Sequence, residues 1–408
     1  MNITYLRTFN SALLIALLIG AALFATSCVD LVAGELEIGP EDRVVFLGGT
    51  FVERMQSYGY LESTIVASDK AGKQTFRNLG WSGDTVWGHA RAVFGGQPDG
   101  YKRLVKDTVE AKPTLIVFAY GNNAAFDGKD KIEPFLAQYK SLIDDLQKRT
   151  QARVALILPR EYESIGGPFP DQSNYNKVVK EYRNAIAQFG KANDIPTIDA
   201  KVDDSSHQGP LTENGVHLSA RGYWHTAKAL AQQIQGVSLD WRVELGAGSP
   251  VAQGTKLTDV ANSAVAAKFV ALDDVLPMPP CPGGKNDTAA VGTLVVKGLA
   301  AGDYDLLIDG KKTVTANAKQ WASGVSLNSR GGSERAEQLR STLGEKNELF
   351  FYRYRPQNET YLFLFRKHEQ GNNAVEIPQF DPLIAKKETA IAVLRAPTKH
   401  TYQLQRAK

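Results

Sequence analysis

Cysteine is nearly absent: two residues in 408 cannot build a disulfide framework or a thiolate zinc site. Cys281 stands alone in Met278-Pro279-Pro280-Cys281-Pro282 and reads as an unreactive loop thiol. An excess of one charge is lacking too. Lys and Arg number 47 against 44 Asp and Glu, a net +3, and the basic residues are scattered rather than gathered into a stripe. That excludes the electrostatic footprint of a nucleic-acid binder. Only six histidines occur, and His89, His207 and His225 have no ligand spacing with one another, so neither a metal nor another cofactor is expected. Internal repeats and low-complexity tracts are missing as well.

What is present begins with an export-type N-terminus. Arg7 precedes the apolar run Leu13–Phe24, and Ala25-Thr26-Ser27-Cys28 follows. The order charged, apolar, small is that of a bacterial signal peptide, and the run falls short of the roughly 20 apolar residues of a membrane span. The small residues before Cys28 resemble a lipobox, with Ala25 where leucine is usual, which makes Cys28 the expected site of lipidation. Cleavage after Gly34, with Val32 and Gly34 as the small residues, is the alternative. Residues 1–34 are thus expected to be a signal and tether. The product is expected to be a periplasmic or outer-membrane-anchored lipoprotein, held at the membrane through the lipid alone.

From Val44 onward short apolar runs alternate with amphipathic stretches, the pattern of a parallel sheet covered by helices. Val44–Leu47, Leu115–Ala119, Val154–Leu158 and Ile195–Asp199 are expected strands. Ile132–Arg149 and Tyr175–Asn193 carry apolar residues at helical spacing, and Ala220–Ile234 is a final helix behind Ser219 as N-cap. The texture changes after Gln235. Gly246–Gly254 and Pro277–Lys285 are rich in Gly, Ser or Pro. Thr293–Lys297 and Tyr304–Ile308 read as strands, Asp309-Gly310 as a hairpin turn, and helices are expected from near Ser333 and over Pro382–Leu394. The expected organisation is an α/β domain over 42–235 and a smaller α+β module over 236–408.

Four segments fall at or just after strand ends, where an open parallel sheet places its ligand site. They are Gly48-Gly49-Thr50, Asn78-Leu79-Gly80-Trp81-Ser82-Gly83-Asp84-Thr85, Tyr120-Gly121-Asn122-Asn123 and Asn214-Gly215-Val216-His217-Leu218. Each alone has an ordinary explanation: Thr50 as a helix cap, Gly83 as a turn, Asn123 as a loop amide, His217 as a structural histidine. In this order the four resemble the blocks of the SGNH (GDSL-type) hydrolases, including large planctomycete-type members with a C-terminal extension.

The resemblance implies a flavodoxin-like three-layer fold with a parallel sheet, and ester hydrolysis. It puts Thr50 at the nucleophile and His217 at the general base. The Thr50 N–H, Gly83 N–H and Asn123 amide would hold the oxyanion. That chemistry needs a hydroxyl, an imidazole to take its proton, and donors aimed at the developing negative charge.

Two departures from the family bear on activity. The nucleophile is threonine, whose branched Cβ restricts χ1 and crowds attack. The family's aspartate three residues before the histidine is Asn214, which cannot stabilise an imidazolium by charge, and the adjacent Glu213 is the candidate substitute. Trp81 and Tyr120, beside the second and third blocks, are candidates for stacking on a sugar ring. The expected substrate is therefore a small-molecule or polysaccharide acyl ester. The competing expectation is a catalytically degenerate scaffold that holds a glycan without cleaving it. The segment 347–373 is rich in aromatics, arginines and amides, and Arg355, Asn358 and His368 could reach the site or lie in an interdomain surface.

Overall fold

The computed structural model describes residues 35–69, 71–283 and 289–407. The signal segment, Cys28 and the alternative cleavage site after Gly34 lie outside the described residues.

A five-stranded parallel sheet runs in the order β3–β2–β4–β5–β6, built from β2 (Arg43–Gly48), β3 (Thr75–Asn78), β4 (Leu115–Ala119), β5 (Arg153–Leu158) and β6 (Thr197–Asp199). Because side chains alternate across a strand, Val44 and Phe46 enter one core while Val45 and Leu47 enter the other. Both faces are covered, which is why these strands are nearly continuous apolar runs. Helices α1 (Thr50–Tyr58), α2 (Tyr60–Ser68) and α6 (Ala220–Ala231) contribute to the first core. Helices α3 (Gln97–Glu110), α4 (Ile132–Thr150) and α5 (Ser173–Ala192) contribute to the second. The result is a three-layer, flavodoxin-like α/β architecture.

Strand order puts the first strand, β2, between the second and third. The crevice where the order reverses, outside the carboxyl ends of β2 and β4, is where such sheets bind ligands. Thr50 directly follows β2 through Gly49, and Asn123 follows β4 through Tyr120-Gly121-Asn122.

The expected strands and helices of this half are present within a few residues of their expected ends, with informative exceptions. Strand β3 and helices α2 and α3 were not anticipated, and α1 only as the helix that Thr50 could cap. In β3 only Phe76 is strongly apolar, and its burial comes from helix Ser333–Tyr354 packing beside it. The last helix stops at Ala231 rather than Ile234, because Ile234 and Gln235 pair in parallel with β1 (Leu36–Glu37) as β7. Ser219 is its N-cap, accepting from the Gly222 N–H at 3.1 Å.

The C-terminal part holds two further sheets. One is mixed, ordered β15–β12–β8–β9, with β8 (Arg242–Leu245), β9 (Val251–Gln253), β12 (Gly292–Val296) and β15 (Val325–Leu327). The other is antiparallel, ordered β10–β11–β16–β13–β14, with β10 (Thr255–Asn262), β11 (Ala266–Asp273), β13 (Asp303–Ile308), β14 (Lys311–Asn317) and β16 (Lys399–Arg406). Trp241, Phe269, Leu294, Tyr304 and Tyr402 share one core drawn from both. The Gly246–Gly254 stretch is the β8–β9 hairpin and its exit. Asp309 and Gly310 turn between β13 and β14, both at positive φ.

A short helix, α7 (Ala318–Ser323), precedes β15. Helices α8 (Ser333–Tyr354) and α9 (Phe380–Leu394) pack on each other, and α8 packs on α1, α2 and β3. At that contact Lys346, 1 % exposed, donates to Glu62 Oε1 at 2.5 Å and to the Phe76 carbonyl at 3.0 Å. Asn347 donates to the other Glu62 oxygen at 2.8 Å. The described residues form one compact unit.

Candidate active site

Thr50 is the first residue of α1, and Gly49 occupies the N-cap position, so Thr50 is not the cap. Its hydroxyl instead accepts a hydrogen bond from the Gly83 N–H at 3.3 Å. Gly83 adopts φ +76°, the left-handed region that glycine enters without penalty, and this turns its N–H toward Thr50. The Asn123 side-chain amide donates to the Asp84 carbonyl at 3.2 Å, which uses one of its two hydrogens and leaves the other. A methyl group on Gly49 would come within 3.4 Å of that amide nitrogen and 3.3 Å of the Asp84 carbonyl, so glycine here keeps the two blocks close.

Beneath the second block lies a buried ion pair. Arg91 Nε donates to Asp84 Oδ2 at 2.7 Å, its Nη2 donates to the Leu79 carbonyl at 2.7 Å, and Tyr120 donates its hydroxyl to the same Asp84 oxygen at 3.2 Å. Through Asp84 the second and third blocks are fastened to each other. Sequence reasoning missed this pair, because Arg91 acts from beyond the motif.

His217 lies in the loop before α6. Asn214 Oδ1 accepts from the backbone N–H groups of Val216 at 3.1 Å and His217 at 2.8 Å. This fixes the orientation of the amide and turns its Nδ2 toward His217 Nδ1 at 3.3 Å. Glu213, the other candidate to orient the ring, pairs instead with Arg54 at 3.0 Å. Burial holds the His217 imidazole below its usual pKa, with the Arg54 guanidinium adding to the effect and Glu213 opposing it.

Thr50, Asn123 and His217 line one cavity of about 180 Å³, together with Arg54, Arg160 and Tyr162. Among the described residues no hydrogen bond joins the Thr50 hydroxyl to the His217 ring. The cavity is small beside the roughly 300–1,000 Å³ of pockets for drug-sized ligands, a size that suits a short acyl group. A larger cleft of about 1290 Å³ lies between α3 and the α8 and α9 helices, but none of Thr50, Gly83, Asn123 and His217 lines it.

The two candidate stacking residues are otherwise occupied. Arg355 lies 3.6 Å over the Trp81 ring, with Arg103 at 4.9 Å, and Trp81 does not line the cavity. Tyr120 does line it, yet its ring is packed edge-on against Tyr139 and only 4 % exposed. Phe126, 68 % exposed at the rim and stacked on Tyr175 at 4.2 Å, is the aromatic face actually presented.

Of the three C-terminal polar residues considered, Arg355 reaches nearest. It pairs with Glu53 at 3.0 Å, and Glu53 accepts from the Ser82 N–H next to Gly83. Tyr354 donates to the Gly80 carbonyl at 3.0 Å. Arg355 therefore braces the second block from outside the cavity, while Asn358 and His368 do not line it. Arg54 and Arg160 were not anticipated. Arg160 was findable, since it follows β5 by two residues at the carboxyl edge of the sheet.

Residues 53–225 match the family described as GDSL-like Lipase/Acylhydrolase. Among solved structures, a gut microbial diltiazem-metabolizing enzyme, BT4096, aligns over 92% of this chain and 100% of its own, at 16% identity and a TM-score of 0.68. The shared fold thus extends through the C-terminal part. An acetyl xylan esterase, AlAXEase, aligns over 46% of this chain and 96% of its own at 21% identity and TM-score 0.35. A GDSL-like lipase from Bacteroides thetaiotaomicron aligns over 50% and 92% at 19% identity and TM-score 0.33. No curated protein matches the sequence.

Proposed function

From a chain whose residues 53–225 form a domain of the GDSL-like lipase and acylhydrolase (SGNH) family, we propose that this protein hydrolyses short-chain acyl esters, with Thr50 as nucleophile and His217 as base. The observation that carries this reading is the common cavity of Thr50, Asn123 and His217, with the Gly83 N–H already directed at the Thr50 hydroxyl.

The Thr50 oxygen attacks the acyl carbonyl, His217 takes its proton, and the carbonyl oxygen gains charge facing the Gly83 N–H, the Thr50 N–H and the free Asn123 hydrogen. Collapse expels the alcohol, which receives the proton from His217. Water then cleaves the threonyl ester by the same path reversed, releasing the acid. The alcohol is proposed to be a carbohydrate or similar polyol: the polar lining and the exposed Phe126 ring at the rim support this. The protein is proposed to be exported and anchored through lipid on Cys28, facing such substrates in the cell envelope.

The test is hydrolysis of 4-nitrophenyl acetate by purified protein. Turnover abolished in both Thr50→Ala and His217→Ala supports the reading, and turnover that survives either substitution overturns it. For the anchor, Cys28→Ala should move the protein from the membrane fraction to the soluble one.

A second reading, an ester-holding site without turnover, is favoured by the contact between Asn214 Nδ2 and His217 Nδ1. An N–H aimed at Nδ1 makes that nitrogen the acceptor, leaves the proton on Nε2, and so disfavours the tautomer a base requires. Binding of an acetylated glycan with no hydrolysis, even after Asn214→Asp, is the outcome this reading expects.

A further inference from the structure

The cavity holds two guanidinium groups, and they differ in one respect. Arg54 has a counter-ion in Glu213. Arg160 has none: its Nη1 donates to the Glu161 carbonyl at 3.0 Å and its Nη2 to the Val216 carbonyl, both backbone oxygens. Among the described residues no carboxylate lies within ion-pair distance of it. The nearby acids are committed elsewhere. Glu163 accepts from the Leu211 N–H and from the N–H and hydroxyl of Thr212, and Glu161 pairs with Lys180 at 3.2 Å.

Among the buried arginines of the scaffold, Arg91 is paired with Asp84 and Arg330 with Asp273, while Arg395 lies away from the cavity with three oxygen acceptors, the carbonyls of Asp69 and Gly72 and Gln74 Oε1. Arg160 is partly buried, and this burial pulls it below its ordinary pKa despite Tyr162, Tyr223 and Glu163 nearby, so a guanidinium without a carboxylate carries a cost here. Guanidinium presents five N–H groups in a planar fork, so the two carbonyls leave donors unused on a residue that lines the cavity.

Position fixes which part of the substrate these donors meet. The Arg160 guanidinium is bonded to the carbonyl of Val216, the residue before His217, and both line the cavity, so it lies beside the histidine loop. The Arg160 carbonyl accepts from Asn122 Nδ2 at 2.8 Å, so its backbone adjoins the third block while its guanidinium reaches the histidine loop. The histidine returns its proton to the departing alcohol, so groups beside it face the alcohol part of the ester.

We propose that Arg160 binds a carboxylate on the alcohol portion of the substrate, so that the site takes O-acyl esters of hydroxy acids, acidic sugars among them. This rests on the ester-hydrolase reading for what is cleaved, while the recognition itself is a binding property. The substrate carboxylate supplies the counter-charge the protein withholds, through charge-assisted and geometrically bidentate hydrogen bonds. It also offsets the positive field of Arg54 and Arg160 at His217, which favours proton uptake by the ring.

The experiment compares O-acetyl-lactate with its neutral counterpart O-acetyl-lactamide, binding each by calorimetry to the full chain carrying Thr50→Ala, so that turnover plays no part. The acid should bind at least about tenfold more tightly than the amide. That preference should vanish in Thr50→Ala with Arg160→Gln and persist in Thr50→Ala with Arg160→Lys. A general structural defect would weaken both ligands together and leave the ratio intact, which overturns the proposal. So does equal binding of acid and amide, or no binding of the acid at all. Failure of the Thr50 protein to hydrolyse any ester would sink the hydrolase reading while leaving a measured acid preference standing.

Discussion

The carboxamide nitrogen of Asn214 sits 3.3 Å from Nδ1 of His217, while the oxygen of the same amide is held by two backbone N–H groups. Neither end of the amide can be exchanged without breaking those two bonds. The resting imidazole is thereby held with its proton on Nε2, where a base needs a lone pair. Asn214→Asp reverses the polarity of that contact, so kcat should rise at least about tenfold, with about 10⁴ as the ceiling set by the triad precedent. Nitrogen NMR of His217 should report the accompanying shift of the proton to Nδ1. A variant with unchanged tautomer and unchanged kcat would remove Asn214 as the handicap.

In the proposed mechanism the nucleophile is the second handicap. Thr50 carries a methyl on Cβ that limits χ1 and stands beside the attack path. Thr50→Ser relieves that crowding, and kcat for 4-nitrophenyl acetate should increase by about tenfold. Circular dichroism should be unchanged, because Thr50 does not cap α1 and no helix bond depends on it.

Acid should switch the enzyme off at a lower pH than an ordinary histidine would. Burial, then Arg54, holds the His217 pKa below 6.5. The acid limb of kcat/KM should therefore have its midpoint below that value. Arg54→Gln removes a nearby positive charge and frees Glu213, and both changes favour the imidazolium, so the midpoint should move up. The stability contribution has the same sense. With the folded pKa depressed, the folded state binds fewer protons, so this contribution is present above about pH 6.5 and is lost as the pH falls through the folded value.

Arg355 acts on the reaction only through Glu53 and Trp81. Its removal leaves the Ser82–Gly83 turn without its outer brace, and a displacement of about 1 Å in such a donor can cost on the order of 100-fold. Arg355→Ala should lower kcat by tenfold or more, as an order-of-magnitude figure from the same principle, with little change in KM. Arg355→Lys, which keeps the ion pair and loses the planar stack, should recover part of it. Equal losses in kcat and thermal stability across both variants would indicate a merely structural role.

The two halves are joined by a buried charge. Lys346 in α8 is matched to Glu62 in α2. Lys346→Met should leave the Glu62 carboxylate uncompensated and cost about 3–5 kcal/mol in unfolding free energy by denaturant titration. A chain cut at Gln235 should fail to give a stable monomer for the same reason. An independently stable 42–235 fragment would refute that.

Much of this was legible in residue order. Strands such as Leu115–Ala119 are buried on both faces, so their apolar runs stand out in any reading. The helices Ile132–Thr150 and Ser173–Ala192 present one apolar stripe each, and 3.6-residue spacing exposes it. The four motif segments were visible through their order along the chain, since glycine, asparagine or histidine at any one strand end is ordinary turn chemistry. Less legible were β3, with one strongly apolar residue, and α2, whose side chains are buried nearly all round once α6 and α8 close over it. Their burial comes from partners distant in sequence, and local pattern carries no trace of those partners.

Sequence alone determined the sheet-and-helix alternation, the identity of Thr50, Asn214 and His217 in their motif segments, and the set of groups available for chemistry. Those are properties of residue type and spacing, and no folding is needed to read them. The tertiary structure decided which groups face each other: Gly83 toward Thr50, Asn214 toward Nδ1, Glu213 toward Arg54, and Arg160 into the cavity without a counter-ion. The physical reason is that hydrogen bonds and ion pairs act over about 3–4 Å: Gly83 and Thr50, 33 positions apart, and Glu213 and Arg54, 159 apart, reach that range only after the chain has closed around its cores, and the turn that brings Asn214 to His217 is set by the loop's folded conformation.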